Sequence, residues 1–253
     1  MVFLPQRIPQ LTHLNSNLGT EFVTIYVGKE QKEYIVHKQV ICNTADYFSK
    51  AFTGAFQERV GVMHLPEETS DAFGLFVHWL YKGEVPLIHT QNYLERLFKL
   101  YVFAEKLCLV ELANRTMNRI RRICGCNPKA ETKASMVSYA FQNTFTDSPI
   151  REWALQDYVR HLDKSKFSGI PTGKDSDGLR LLCRENDDIF QDYLNLLRNL
   201  GPGKQVPNAR FGDSGKVDDS SCKFHRHKMN EACHVQETQA PVFISWVSSS
   251  ELF

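Results

Sequence analysis

Between Phe22 and Gly83 the chain switches from strand-like to helix-like patterning, back again, and then to helix once more, with almost no slack between segments. Few folds accommodate that order. Phe22-Val23-Thr24-Ile25-Tyr26-Val27 is rich in β-branched and aromatic residues, is closed by Gly28, and resumes as Glu33-Tyr34-Ile35-Val36-His37 after a polar turn, which predicts a hairpin. A short helix is expected from Val40 to Phe52, because Tyr47 or Phe48 falls on one face with Ala51 and Phe52, and Gly54 offers a C-terminal stop. Val60, Val62 and His64-Leu65 then alternate up to Pro66, a residue that cannot donate to a ladder, so one more strand is expected there. Thr69 or Ser70 caps a further helix in which Phe73, Phe76, Val77 and Leu80 repeat at i, i+3, i+4 and i+7 before Gly83. The pattern implies an α+β fold, a short β-sheet packed with a cluster of α-helices.

The helical layer continues. Leu94, Leu97, Phe98, Tyr101 and Ala104 share a face between Asn92 and Leu107, and Leu112, Ala113, Met117, Ile120 and Cys124 repeat at helical spacing from Leu109 onward. Burying each large apolar side chain is worth roughly 1.5–3 kcal/mol, against about 0–1 kcal/mol for a surface ion pair, so these positions hold the layer together. From 133 to 200 the pattern is helical throughout and predicts an all-α extension. Ser148-Pro149 signals a helix start ahead of Ile150, Trp153, Ala154 and Tyr158, and Ile189, Phe190, Tyr193, Leu194 and Leu197 form a later stripe. At 253 residues and 42% hydrophobic content, the chain is long enough to bury a core without staples. The expected organisation is a mobile leader over 1–21, a domain over 22–124, the helical extension over 133–200, a Gly/Pro/Asp/Ser-rich flexible linker over 201–221, and a Cys/His-bearing tail over 222–253.

The ordered blocks F-V-T-I-Y-V-G, Y-I-V-H-K-Q-V-I, A-D-Y-F-S-K-A-F, F-Q-E, L-P-E and F-x-x-F-V-H-W-L-Y-K-G-E-V resemble a BTB/POZ domain covering about Phe22 to Ile123. The resemblance implies a BTB/POZ fold and a protein-protein interaction module, one that self-associates, acts as a substrate adaptor for a cullin-based ubiquitin ligase, or does both. In cullin-binding members a hydrophobic-x-Glu motif sits where Phe56-Gln57-Glu58 stands here, so the implied partner-binding residues are Phe56 and Glu58, with Tyr47 and Phe48 adding to the same face. An exposed aromatic would anchor, and the carboxylate would orient from the rim. The competing reading makes Phe56 part of the domain's own core. One of Tyr47 and Phe48 must point inward at helical spacing. Helices behind the domain resemble the family's C-terminal extension, which in some members deepens the cullin contact. In many BTB domains an N-terminal segment completes a swapped homodimer, but residues 1–21 show no clear helix or strand pattern. Phe22 stands where many animal members carry an acidic groove residue, so no such charged pocket is carried over. His37-Lys38 matches a His-Lys pair that is mostly structural in the family.

Charge and composition exclude other classes. Thirty basic against twenty-nine acidic residues leave a net charge of +1, too little for a global field toward nucleic acid or an acidic membrane surface. No stretch reaches the roughly 18–20 apolar residues that span a bilayer. Seven scattered cysteines suggest reduced thiols, hence cytoplasm or nucleus. Gly169-Ile170-Pro171-Thr172-Gly173-Lys174-Asp175 is one residue short of a phosphate loop and carries Asp where a metal-binding hydroxyl belongs. With no nucleophile elbow or metalloprotease signature either, a binding protein is expected and not an enzyme.

Two clusters remain open. Arg115, Arg119, Arg121 and Arg122 could contact phosphates or could serve as the wet, dipole-matched end of a helix. Cys222, His225, His227 and Cys233 supply four donors of the kind zinc takes, which supports a zinc-binding regulatory protein as the alternative function. The spacing is not a standard finger, and His225 and His227 point apart on a locally extended chain. This stretch resembles a Cys/His-bearing tail found on many BTB proteins of filamentous fungi. No cofactor is expected apart from zinc on these donors. The apolar run 241–247 is expected to dock as an edge strand.

Overall fold

The hairpin forms from β1 (Phe22–Val27) and β2 (Lys32–His37), antiparallel, with Phe22 opposite His37 and Val27 opposite Lys32. The computed structural model describes residues 18–127, 129–167, 173–200, 204, 206–210 and 219–227. The third strand, β3 (Val62–Leu65), lies on the other side of β1 and runs parallel to it, giving the order β2-β1-β3. Alternation sets the two faces. Val23, Ile25, Val27, Val36, Met63 and Leu65 are buried against the helices. Phe22, Thr24, Tyr26, Ile35, Val62 and His64 share the opposite face by register.

A parallel partner has to be reached by a crossover, and the segment after the hairpin supplies it. The single helix expected over Val40–Phe52 is two, α1 (Lys38–Thr44) and α2 (Asp46–Thr53), separated by Ala45 in an extended conformation at φ −142° and ψ 131°. The break re-aims the second segment so that Phe48 and Phe52 enter the core, where Phe48 stacks on Phe76 with ring centroids 5.9 Å apart. A 3₁₀ turn (Gln57–Val60) follows, and Gly61 at φ 90° takes the left-handed conformation that starts β3. The strand therefore begins at Val62, with Val60 in the turn.

Helix α3 (Ser70–Lys82) is capped by Thr69, whose hydroxyl accepts from Ala72 N–H, and ends on left-handed Gly83, both as expected from sequence. Helix α4 (Gln91–Lys106) begins on a second threonine cap, Thr90, and packs beside α5 (Val110–Cys126). It is the centre of the molecule, with Leu94, Leu97, Leu100 and Tyr101 fully buried.

The extension comprises α6 (Ala134–Asn143), α7 (Pro149–Phe167), α8 (Gly173–Glu185) and α9 (Asp187–Asn199). It is continuous with the first core: Trp153 is fully buried and meets Phe98 of α4 at 6.0 Å. No helix among the described residues is long and apolar enough to cross a membrane.

The flexible linker expected over 201–221 does not hold for residues 206–210, which form a strap across α7. Val206 and Ala209 are buried, Trp153 Nε1 and Arg121 Nε both donate to the Ala209 carbonyl, and Gln156 Nε2 donates to the Pro207 carbonyl. The strap ends on Arg210, whose guanidinium meets the wholly buried Asp157 carboxylate at 2.5 and 2.9 Å and donates to the Cys124 carbonyl at 2.7 Å. Composition marked this segment as polar and loose. The buried carboxylate that holds it lies 53 residues upstream, beyond the reach of a local reading.

Candidate functional site

Helix α2 presents two aromatic residues in succession, and neighbouring helical residues point about 100° apart. Phe48, Ala51 and Phe52 take the inward stripe, so Phe48 is 0% exposed while Tyr47 is 49% exposed. Phe48 is therefore corrected from a partner-binding residue to a core residue. Beyond α2, Phe56 is 63% exposed and Val60 83% exposed. The reading that placed Phe56 in the domain's own core is set aside by that exposure.

The backbone beneath Phe56 is held. Its carbonyl accepts from Arg59 N–H at 3.1 Å, and the Glu58 carbonyl accepts from Gly61 N–H at 2.8 Å. A Cβ at Gly54 would collide with the Lys50 carbonyl oxygen, so the turn that leads out of α2 toward Phe56 needs glycine there, while the Phe56 ring at 3.4 Å would be in ordinary contact. Glu58 is half-buried. Burial first, and then the neighbouring carboxylates Glu58 and Glu68, push the Tyr47 phenol above its ordinary pKa, which places Glu58's charge within reach of Tyr47. The corner thus combines exposed aromatics, an exposed valine and an acidic group. It has the make-up of a docking site.

The other candidates resolve into structure. His37 accepts its place from Tyr81: the Tyr81 hydroxyl lies 2.9 Å from both the His37 backbone N–H and its Nδ1. The arginine cluster is engaged within the chain, for Arg115 pairs with Glu111, Arg119 Nε donates to the Val85 carbonyl, and Arg121 is buried under the strap with Phe224 at 5.3 Å. Of the loop resembling a phosphate loop, 169–172 lies outside the described residues, and Gly173 opens α8. The leader over 1–17, Cys233 and the run 241–247 also lie outside them.

The Cys/His stretch folds in a way its spacing concealed. A 3₁₀ turn (Asp219–Phe224) lets His225 N–H donate to the Cys222 carbonyl at 3.0 Å, and the candidate ligand atoms of Cys222, His225 and His227 all lie within 4.8 Å of one another. The expectation that the two imidazoles point apart fails because the chain turns at this point; their ring centroids are 5.7 Å apart. His225 Nε2 lies 2.7 Å from Asn118 Oδ1. Burial first, then Arg121 and His227, depress the His225 pKa to about 4, so the ring is neutral near pH 7.

The residues that seat this segment were missed from sequence. Asn114 exchanges two hydrogen bonds, each 3.0 Å, with the backbone of Arg226, and the Arg226 guanidinium meets the buried Glu105 carboxylate at 3.1 Å. One signal was available: Asn114, Asn118 and Arg121 repeat at i, i+4 and i+7 on α5, a buried polar stripe beside the apolar one. Beside the strap, a groove of about 480 Å³ between α7 and α9 is lined by Arg151, Glu152, Leu155, Asp192, Leu196 and Lys223.

A small mixed sheet over a helical cluster, with a firm exposed corner, defines an interaction scaffold. A model of the BTB/POZ domain family matches residues 17–120. The chain is a BTB/POZ domain-containing protein, and its first half is a protein-protein interaction module. The match ends within α5, so α6 to α9, the strap and the Cys/His segment lie beyond it. Among curated proteins none matches the chain.

Proposed function

We propose that this protein is a substrate adaptor of a cullin-based ubiquitin ligase, docking on the cullin through Tyr47, Phe56 and Glu58. The observation that carries the reading is Phe56, an aromatic left 63% exposed on a turn whose backbone is hydrogen-bonded and whose approach requires Gly54. With its backbone already fixed, Phe56 has only its side-chain torsions left to order on binding. Partner choice would then fall to the extension, where Leu181, Phe190 and Leu197 leave apolar surface exposed on α8 and α9. The double variant Phe56→Ala with Glu58→Lys is expected to abolish capture of a cullin N-terminal domain while the melting temperature stays unchanged. Undiminished capture would reject the site.

Self-association is a second reading, favoured by the outward face of the sheet. Phe22, Ile35 and Val62 are exposed there on three adjacent strands, with no helix covering them among the described residues. Light scattering should then find a dimer that Ile35→Arg converts to monomer; a wild-type monomer at all concentrations would eliminate this mode.

A further inference from the structure

We propose that Cys222, His225 and His227 bind a zinc ion that fastens the C-terminal segment to α5. The three donors come from six consecutive residues, which would span about 16 Å if extended. The 3₁₀ turn instead gathers their ligand atoms within 4.8 Å. A tetrahedral ion with Zn–N near 2.0–2.1 Å and Zn–S near 2.3 Å needs donors roughly 3.3–3.7 Å apart, so side-chain rotation of about 1 Å closes the site.

Two further observations point to a ligand. The first is the carbonyl behind His225. With Nε2–H donating to Asn118 Oδ1 at 2.7 Å, the imidazole lone pair is placed on Nδ1. This is how protein metal sites orient a histidine, and Asn118 is itself buried, at 4% exposure. The second is His227 Nε2, a buried nitrogen with no hydrogen-bond partner among the described residues. Leaving such a group unsatisfied is unfavourable, and coordination would remove that cost.

The donor chemistry selects the ion. One thiol and two imidazoles suit zinc and not magnesium or calcium, which take oxygen ligands. The cations nearest the site are engaged elsewhere: Arg226 with Glu105 and Asp147, Arg121 with the Ala209 carbonyl and the Phe224 ring. Three protein donors leave the fourth tetrahedral position to water or to a further donor. The ion would be structural, since the same segment already inserts Phe224 and pairs Arg226 with Asn114.

The test uses the full chain, stripped with chelator and titrated with zinc and, separately, cobalt(II). About one zinc per chain is expected, together with a rise in melting temperature on zinc addition and a thiolate-to-cobalt charge-transfer band. Cys222→Ser should abolish that band, His227→Gln should weaken zinc binding by about tenfold or more, and Asn118→Ala by about 10–100-fold. Cys126→Ser, an exposed thiol outside the cluster, should change nothing. Both Cys222 and His227 are only partly buried, so their variants should melt like the metal-free wild type. Absence of zinc uptake by the wild type, or uptake unchanged in the Cys222→Ser, His227→Gln double variant, overturns the site.

Discussion

The corner at Phe56 and two C-terminal segments, the strap over 206–210 and the turn over 219–227, sit on the same scaffold and are built by opposite rules. At the corner, backbone polar groups are paired while large apolar side chains face water. Along those two segments, polar and charged side chains are paired with buried partners, with Arg210 on Asp157, Arg226 on Glu105 and His225 beside Asn118. An exposed apolar anchor adds nothing to the fold and is available to a partner. A buried, satisfied polar network specifies one intramolecular arrangement and fails badly when a single member is lost. The chain therefore leaves apolar side chains in water at one surface and closes upon itself through paired polar groups at the other.

Substitutions can break that contrast. A large effect on stability is expected from Arg210→Ala, which leaves the Asp157 carboxylate buried without the guanidinium and should cost about 3–5 kcal/mol in urea denaturation. A change below about 1 kcal/mol would mean that the strap is not part of the cooperative fold. Phe48→Ala and Tyr47→Ala form the next comparison, on adjacent residues. The first empties a core site and should cost about 3–5 kcal/mol, whereas the second should stay within about 0.5 kcal/mol in the same assay and show its effect on partner capture instead. Equal losses from both would erase the distinction between core and exposed face at α2.

Most of the fold could be read from local pattern. The hairpin, the Thr69 cap, the Gly83 stop, the Pro149 start and the buried stripes of α4, α5 and α7 rest on interactions within a few residues, and each is found where periodicity and capping place it. The proposed docking corner was half visible: F-Q-E marks the place, but helical spacing alone could not choose between Tyr47 and Phe48. The bend at Ala45 makes that choice, and no strong breaker announces it. The strap was hidden altogether, because Gly, Pro and Asp composition looks the same whether a loop is loose or tied down by an arginine.

Local side-chain periodicity and end-capping were enough to specify most strands and helices, since both act over one or two turns of chain, while the ordered sequence blocks carried the resemblance to a BTB/POZ domain. Contact between residues far apart in sequence was needed for the rest. Asn118 and His225 are 107 positions apart, and Asp157 and Arg210 are 53 apart. Only a folded core brings such groups together, because the free energy that holds them is the cost of leaving a buried charge or imidazole alone, and burial does not exist before the fold does.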